Sequence, residues 1–198
     1  MNACSLSQNF LKLGLLDWRA GQDPTGSFKA AGEWYDAAWE LFQPVDRVRA
    51  AYRQGTVDIA QYLVGRSGRL AFDWEEHRGQ PYTSFTYENA FRLFDQPLPE
   101  KLKAQNDRYV QHRKDILTRS FITHRKLLDY EGTPEGFEAL VHEAEKNWLD
   151  RRTDRALNDT DFTMGYANGN DLVVDLDLGA ILKKRNWQGE SIHRWRWG

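Results

Sequence analysis

"TPEGFEALVHEAEKNWL", residues 133–149, is the stretch from which the fold is read. Thr133 offers a side-chain oxygen just ahead of a helix, and Pro134 suits the first helical position, where its missing N–H is not needed. Phe137, Leu140 or Val141, Ala144 and Trp148 then recur every three or four residues, which places them on one apolar face of a helix.

The same spacing extends toward the N-terminus. From Pro99 to about Tyr130 neither proline nor glycine interrupts the chain, and Leu102, Tyr109, Ile116, Leu117, Phe121, Leu127 and Leu128 predict one long helix. Phe85, Ala90, Phe91 and Phe94 predict a shorter one, closed by "DQPLP". Val45–Tyr52 and Val57–Val64 predict two short pieces, and Phe28, Ala31, Tyr35, Ala38 and Phe42 mark the stripe of another helix, broadened by Trp34 and Trp39. Ser5 is expected to cap a first, well-buried helix that runs to about Ala20 and stops at Gly21.

Beyond Arg155 the pattern changes. Phe162, Met164 and Tyr166 alternate, Asn168-Gly169 is a turn signal, and Leu172, Val174 and Leu176 alternate again, the pattern of a small β-hairpin. The competing expectation is an irregular loop leading into a last helix over "LGAILKKRNW". Residues 1–198 are therefore expected to form one mainly α, compact multi-helix domain, with or without that C-terminal hairpin.

Composition fits a folded domain: 40% hydrophobic, 28% charged, and eight tryptophans to supply buried area. The single cysteine, Cys4, excludes an intrachain disulfide framework and a cysteine-rich zinc site, which favours a reducing, cytoplasmic setting. No basic segment precedes the first apolar run and no small-residue cleavage pattern follows it, so no secretory leader is expected. No apolar run approaches the ~18 residues of a membrane span.

The net charge of −2 conceals a strong segmentation. Residues 101–128 carry eight Lys or Arg against two Asp, a net +6, and residues 129–177 carry thirteen Asp or Glu against four Lys or Arg, a net −9. Two such helices side by side would neutralise each other, each exposed pair contributing only ~0–1 kcal/mol. An acidic segment turned outward would instead steer a basic partner. Asp159, Asp161, Asp171, Asp175 and Asp177 are the densest carboxylates and the expected partner-binding face.

Local motifs give no catalytic set. "VHEAEK" has His142 and Glu143, but the second histidine of a zinc-protease helix is replaced by Lys146. "DWEEH" puts Asp73 and His77 four apart beside Glu76, which begins a metal site without completing it. "GRSGR" does not centre its serine as a nucleophile elbow does. His124 falls among Ile116, Leu117, Phe121 and Leu128, the setting of a hydrogen-bonded, partly buried histidine. No catalytic residue, metal ligand or cofactor is therefore assigned. The terminal "HRWRWG" combines aromatic and basic residues, but the acidic block just upstream disfavours nucleic acid, and the tail is expected to act as a strap over the helical core.

"LGLLDWRAGQDP", which leads into the aromatic helix, and "NDLVVDLDLGAILKKRNW" near the C-terminus give the chain a resemblance to the helical immunity proteins that bacteria encode beside secreted interbacterial toxins. The resemblance implies a cytoplasmic protein that binds a cognate toxin, here a basic one, and occludes it. Two alternatives stand beside it: an enzyme, metal-dependent or not, whose site is assembled only in three dimensions, with Asp73, Glu76 and His77 as first candidates, and an adaptor that assembles with copies of itself.

Overall fold

The computed structural model of the chain describes residues 3–41, 55–70, 81–158, 174–191 and 193. All regular structure among them is helical: α1 (Ala3–Arg19), α2 (Thr25–Leu41), α3 (55–63), α4 (Pro81–Leu93), α5 (Glu100–His112), α6 (Ile116–Leu128), α7 (Pro134–Asn158) and α8 (Leu176–Lys184).

α7 begins at Pro134 as its sequence predicts, and the Thr133 hydroxyl accepts the Gly136 N–H. α1 starts upstream of Ser5, which lies inside the helix rather than capping it. Its C-terminus closes on Gly21, at φ 72°, whose N–H donates to the Trp18 carbonyl while that of Gln22 donates to Asp17, a turn that glycine enters without strain. Leu11, Leu15 and Trp18 are buried, whereas Leu13 and Leu16 remain 47% and 56% exposed, so α1 is less deeply covered than its composition implies.

α1 and α2 form a hairpin. The Trp18 and Phe28 rings meet edge to face, and the buried Ser7 hydroxyl donates to the Ala31 carbonyl at 2.7 Å. The predicted stripe of α2 is buried at Phe28, Ala31, Tyr35 and Ala38. Phe28, Ala31 and Tyr35 join Ile59 and Leu63 of α3, Leu127 of α6, Val141 and Ala144 of α7, and α8 in one apolar core.

The expected long helix from Pro99 to Tyr130 is two helices. Arg113 is extended (φ −117°, ψ 139°), and Asp115 caps α6 by accepting the Thr118 N–H at 2.9 Å while Arg113 Nε donates to it at 2.8 Å. An aspartate that satisfies the new helix start breaks the helix without glycine or proline. α5 and α6 both pack on α4, joined through the buried Glu88. Arg125 of α6 grips it with two hydrogen bonds of 2.7 and 2.8 Å, and Asn106 of α5 donates to it at 2.9 Å. Arg125 also donates to Asp107. The described ion pairs of the basic segment thus run to Glu88, Asp107 and Asp115 rather than to the acidic α7 that lies against α6.

The proposed hairpin strand cannot end at Leu176, because Leu176 opens α8; residues 159–173 lie outside the described residues. Every residue of α8 from Leu176 to Leu182 is buried. Gly179 makes this seat available: a Cβ there would come within 2.1 Å of the Trp18 ring. The three basic residues that follow cap three other helices. Lys183 Nζ donates to the Leu63 carbonyl at 2.6 Å, Lys184 Nζ to the Leu93 carbonyl at 3.0 Å, and Arg185 to the carbonyls of Leu128 and Tyr130. The carbonyls of Leu63, Leu93 and Leu128 end α3, α4 and α6, have no partner within their own helices and carry the negative end of the helix dipole, and that of Tyr130 follows α6 by two residues. No helix among the described residues is long and apolar enough to cross a membrane.

Candidate functional site

Where α4, α6, α7, the start of α8 and the C-terminal segment meet, six polar side chains are buried together: Asn89, His124, Arg151, Asp175, Asp177 and His193. Asp175 is the hub. As the N-cap of α8 it accepts the Leu178 N–H through Oδ1 at 3.1 Å, and its own backbone N–H donates to His193 Nδ1 at 3.1 Å. Its Oδ2 lies 3.4 Å from both His124 Nε2 and Arg151 Nη2. Asn89 Nδ2 donates to Asp177 Oδ1 at 3.3 Å and stands 3.4 Å from His124 Nδ1.

Electrostatics sort these groups. Burial opposes a charge on His124, but the carboxylates of Asp175 and Asp177 outweigh it and raise its pKa. Burial likewise opposes ionisation of Asp175, but His124, Arg151 and His193 hold its carboxyl well below the usual range. The cluster therefore balances itself, with His124 and Arg151 positive and both aspartates negative. His193 differs: burial lowers its pKa to about 4, against the opposing pull of Asp175 and Glu145, with His124 and Arg19 adding to the depression. Its neutral ring stands edge-on to Trp148 at 4.9 Å.

Because His193 is held neutral in the fold and titrates near 6.5 when unfolded, the unfolded chain binds more protons between these values. The stability this represents is present above pH 6.5 and is lost as pH falls toward about 4. Urea denaturation is expected to show a loss on the order of 3 kcal/mol from pH 6.5 to 4, with a flatter profile in His193→Gln. A profile unchanged by that substitution would exclude His193 as the source.

A narrow cleft opens beside the cluster between the Phe85 and Phe121 rings and Leu117, lined by Thr86, Asn89, Ser120, His124, Arg151 and Asp177, with room for roughly one water molecule. One donor atom from each of His124, Asp175 and Asp177 lies within 4.8 Å of the others.

Two of the five aspartates expected on an outward face point elsewhere: Asp175 is 1% and Asp177 9% exposed, and both face inward. Their charge is met inside the protein by His124, Arg151 and Asn89. Asp159, Asp161 and Asp171 lie outside the described residues, as do Asp73, Glu76 and His77. His142 is on the surface near Glu138 and Glu145, while His124 is more deeply buried than its sequence setting implies. The tail enters the fold at His193, as a strap does; Trp195 and Trp197 lie outside the described residues.

The acidic block does present an outer face, on α7. Glu135 and Glu138 are exposed there, with Glu131 just before the helix, and Leu149, 50% exposed, lies on the same outward side as Glu138, His142 and the exposed Lys146, while Glu143 accepts the Thr123 hydroxyl of α6. Comparison with protein-family models, curated proteins and solved structures finds no match.

Proposed function

We propose that this chain is a binding protein of the immunity type, which acts in the cytoplasm and neutralises a basic toxin by occluding it. The observation that carries the reading is the outer face of α7, where the exposed Glu131, Glu135 and Glu138 outnumber the exposed Lys146 beside the half-exposed Leu149. A field of one sign accelerates the encounter with an oppositely charged partner, and an apolar side chain within it supplies an anchor that becomes dry on contact. The segmental charge of −9 over residues 129–177 supports the same polarity.

The test uses the product of the gene adjacent to the one encoding this chain, in surface plasmon resonance at low and high salt. Glu135→Lys combined with Glu138→Lys is expected to leave the circular dichroism unchanged, slow association about tenfold and weaken its salt dependence, since rim charges act chiefly on the on-rate. Absence of binding by the wild type, or an on-rate indifferent to both salt and the substitutions, would remove the reading.

A further inference from the structure

We propose that His124, Asp175 and Asp177 form a binding site for a single divalent transition-metal cation, of the zinc or manganese class, with its open coordination position facing the cleft lined by Thr86, Leu117 and Ser120. The site is independent of the α7 face and does not rest on the toxin-binding reading.

The spacing of the donors is the first argument. Elsewhere in this protein, hydrogen-bonded charged pairs close to 2.7 and 2.8 Å between Arg125 and Glu88, and to 2.9 and 3.2 Å from Arg69 to Asp36 and Glu40. Around His124 the contacts stop at 3.3–3.4 Å, although every group there is buried and a shorter bond would be stronger. A separation of 3.4 Å between His124 Nε2 and Asp175 Oδ2 matches the edge of a tetrahedron of N and O donors about 2.0–2.1 Å from a central ion.

Unsatisfied atoms are the second argument. His124 is 3% and Asn89 2% exposed, yet His124 Nε2 and Asn89 Oδ1 have no hydrogen-bond partner among the described residues. Such a loss is costly in a buried site. A cation on Nε2 sends the proton that His124 carries there to solvent and gives that nitrogen a partner.

Charge and space complete the set. Two carboxylates neutralise a dication, and Arg151 beside Asp175 leaves one positive charge over, which favours an anionic fourth ligand. The cleft has room for one water-sized occupant lined by the Thr86 and Ser120 side chains, and a metal-bound water loses a proton far more readily than a free one. One histidine and two carboxylates with an open position suit an ion bound for chemistry on water rather than a closed structural site.

The experiment uses the full chain, purified without a histidine tag, stripped with chelator and dialysed against Zn2+, Mn2+ or Mg2+ alone. Elemental analysis is expected to give one equivalent of Zn2+ or Mn2+ per chain, with a raised melting temperature. Asp177→Asn is expected to weaken binding at least tenfold, and the surface control His142→Gln to leave it unchanged. The Co2+ form of the wild type is expected to show the intense visible bands of a four-coordinate ion, an outcome that needs no variant to fold. Less than 0.2 equivalents of either metal, a six-coordinate Co2+ spectrum, or affinity lost in His142→Gln but kept in Asp177→Asn would overturn the assignment.

Discussion

Asp175→Ala, measured in chelator-treated protein, is expected to lower the unfolding free energy by about 3–5 kcal/mol, because it leaves two buried cations facing the single carboxylate of Asp177. His124 and Arg151 both lie 3.4 Å from the carboxylate oxygen that the substitution deletes, and α8 loses the cap that accepts the Leu178 N–H. For a chain of this size the corresponding fall in Tm is on the order of 10 °C. Asp175→Asn retains a side-chain oxygen for the cap but not the charge, so it separates the two contributions; it is expected to lose most of the same stability. A loss below about 1 kcal/mol for Asp175→Ala, read from urea melts, would mean that the cations are relieved by water and that the cluster does not fasten the fold.

The second large effect is expected at Trp148, the largest fully buried side chain among the described residues. Trp148→Ala removes the aromatic body that α7 presses into the core and against which the His193 ring stands. Truncations of this kind cost about 3–5 kcal/mol. Because the two rings touch, deleting residues 191–198 should cost less in Trp148→Ala than in the wild type, with a coupling of about 0.5–3 kcal/mol in a double-mutant cycle. Strict additivity would show that the C-terminal segment is held by something other than this contact.

The parts of the fold legible in the sequence are those where one helix face is buried and the other is wet. α2 and α7 have that property, and their stripes and the Thr133-Pro134 start read directly from residue spacing. α8 has no wet face along Leu176–Leu182, so the 3.6-residue period vanishes, and the alternation of Asp and Leu there imitates a strand. The break at Asp115 is hidden for another reason: a capping aspartate inside a run of good helix formers gives no signal until its partner, the Thr118 N–H, is in view. The polar cluster was legible only as single residues. Asn89 and His124 are 35 positions apart, and Asn89 and Asp177 88 apart, so no local motif joins them. Dense aspartates read as an exposed face because isolated carboxylates avoid burial, and that rule lapses once a histidine and an arginine arrive from other helices.

The seating of α8 also bears on the order in which the protein can be completed during synthesis. Trp18 leaves the ribosome early, yet the glycine backbone that covers its ring is residue 179, and the carbonyls ending α3, α4 and α6 wait for residues 183–185. An α1–α2 hairpin can form while the chain is still short, but the part of its inner face around Trp18 stays open to water until α8 emerges. Folding therefore depends on contacts between distant parts of the chain, which places its rate below that of helical bundles built from neighbours and makes the nascent chain a substrate for holding chaperones.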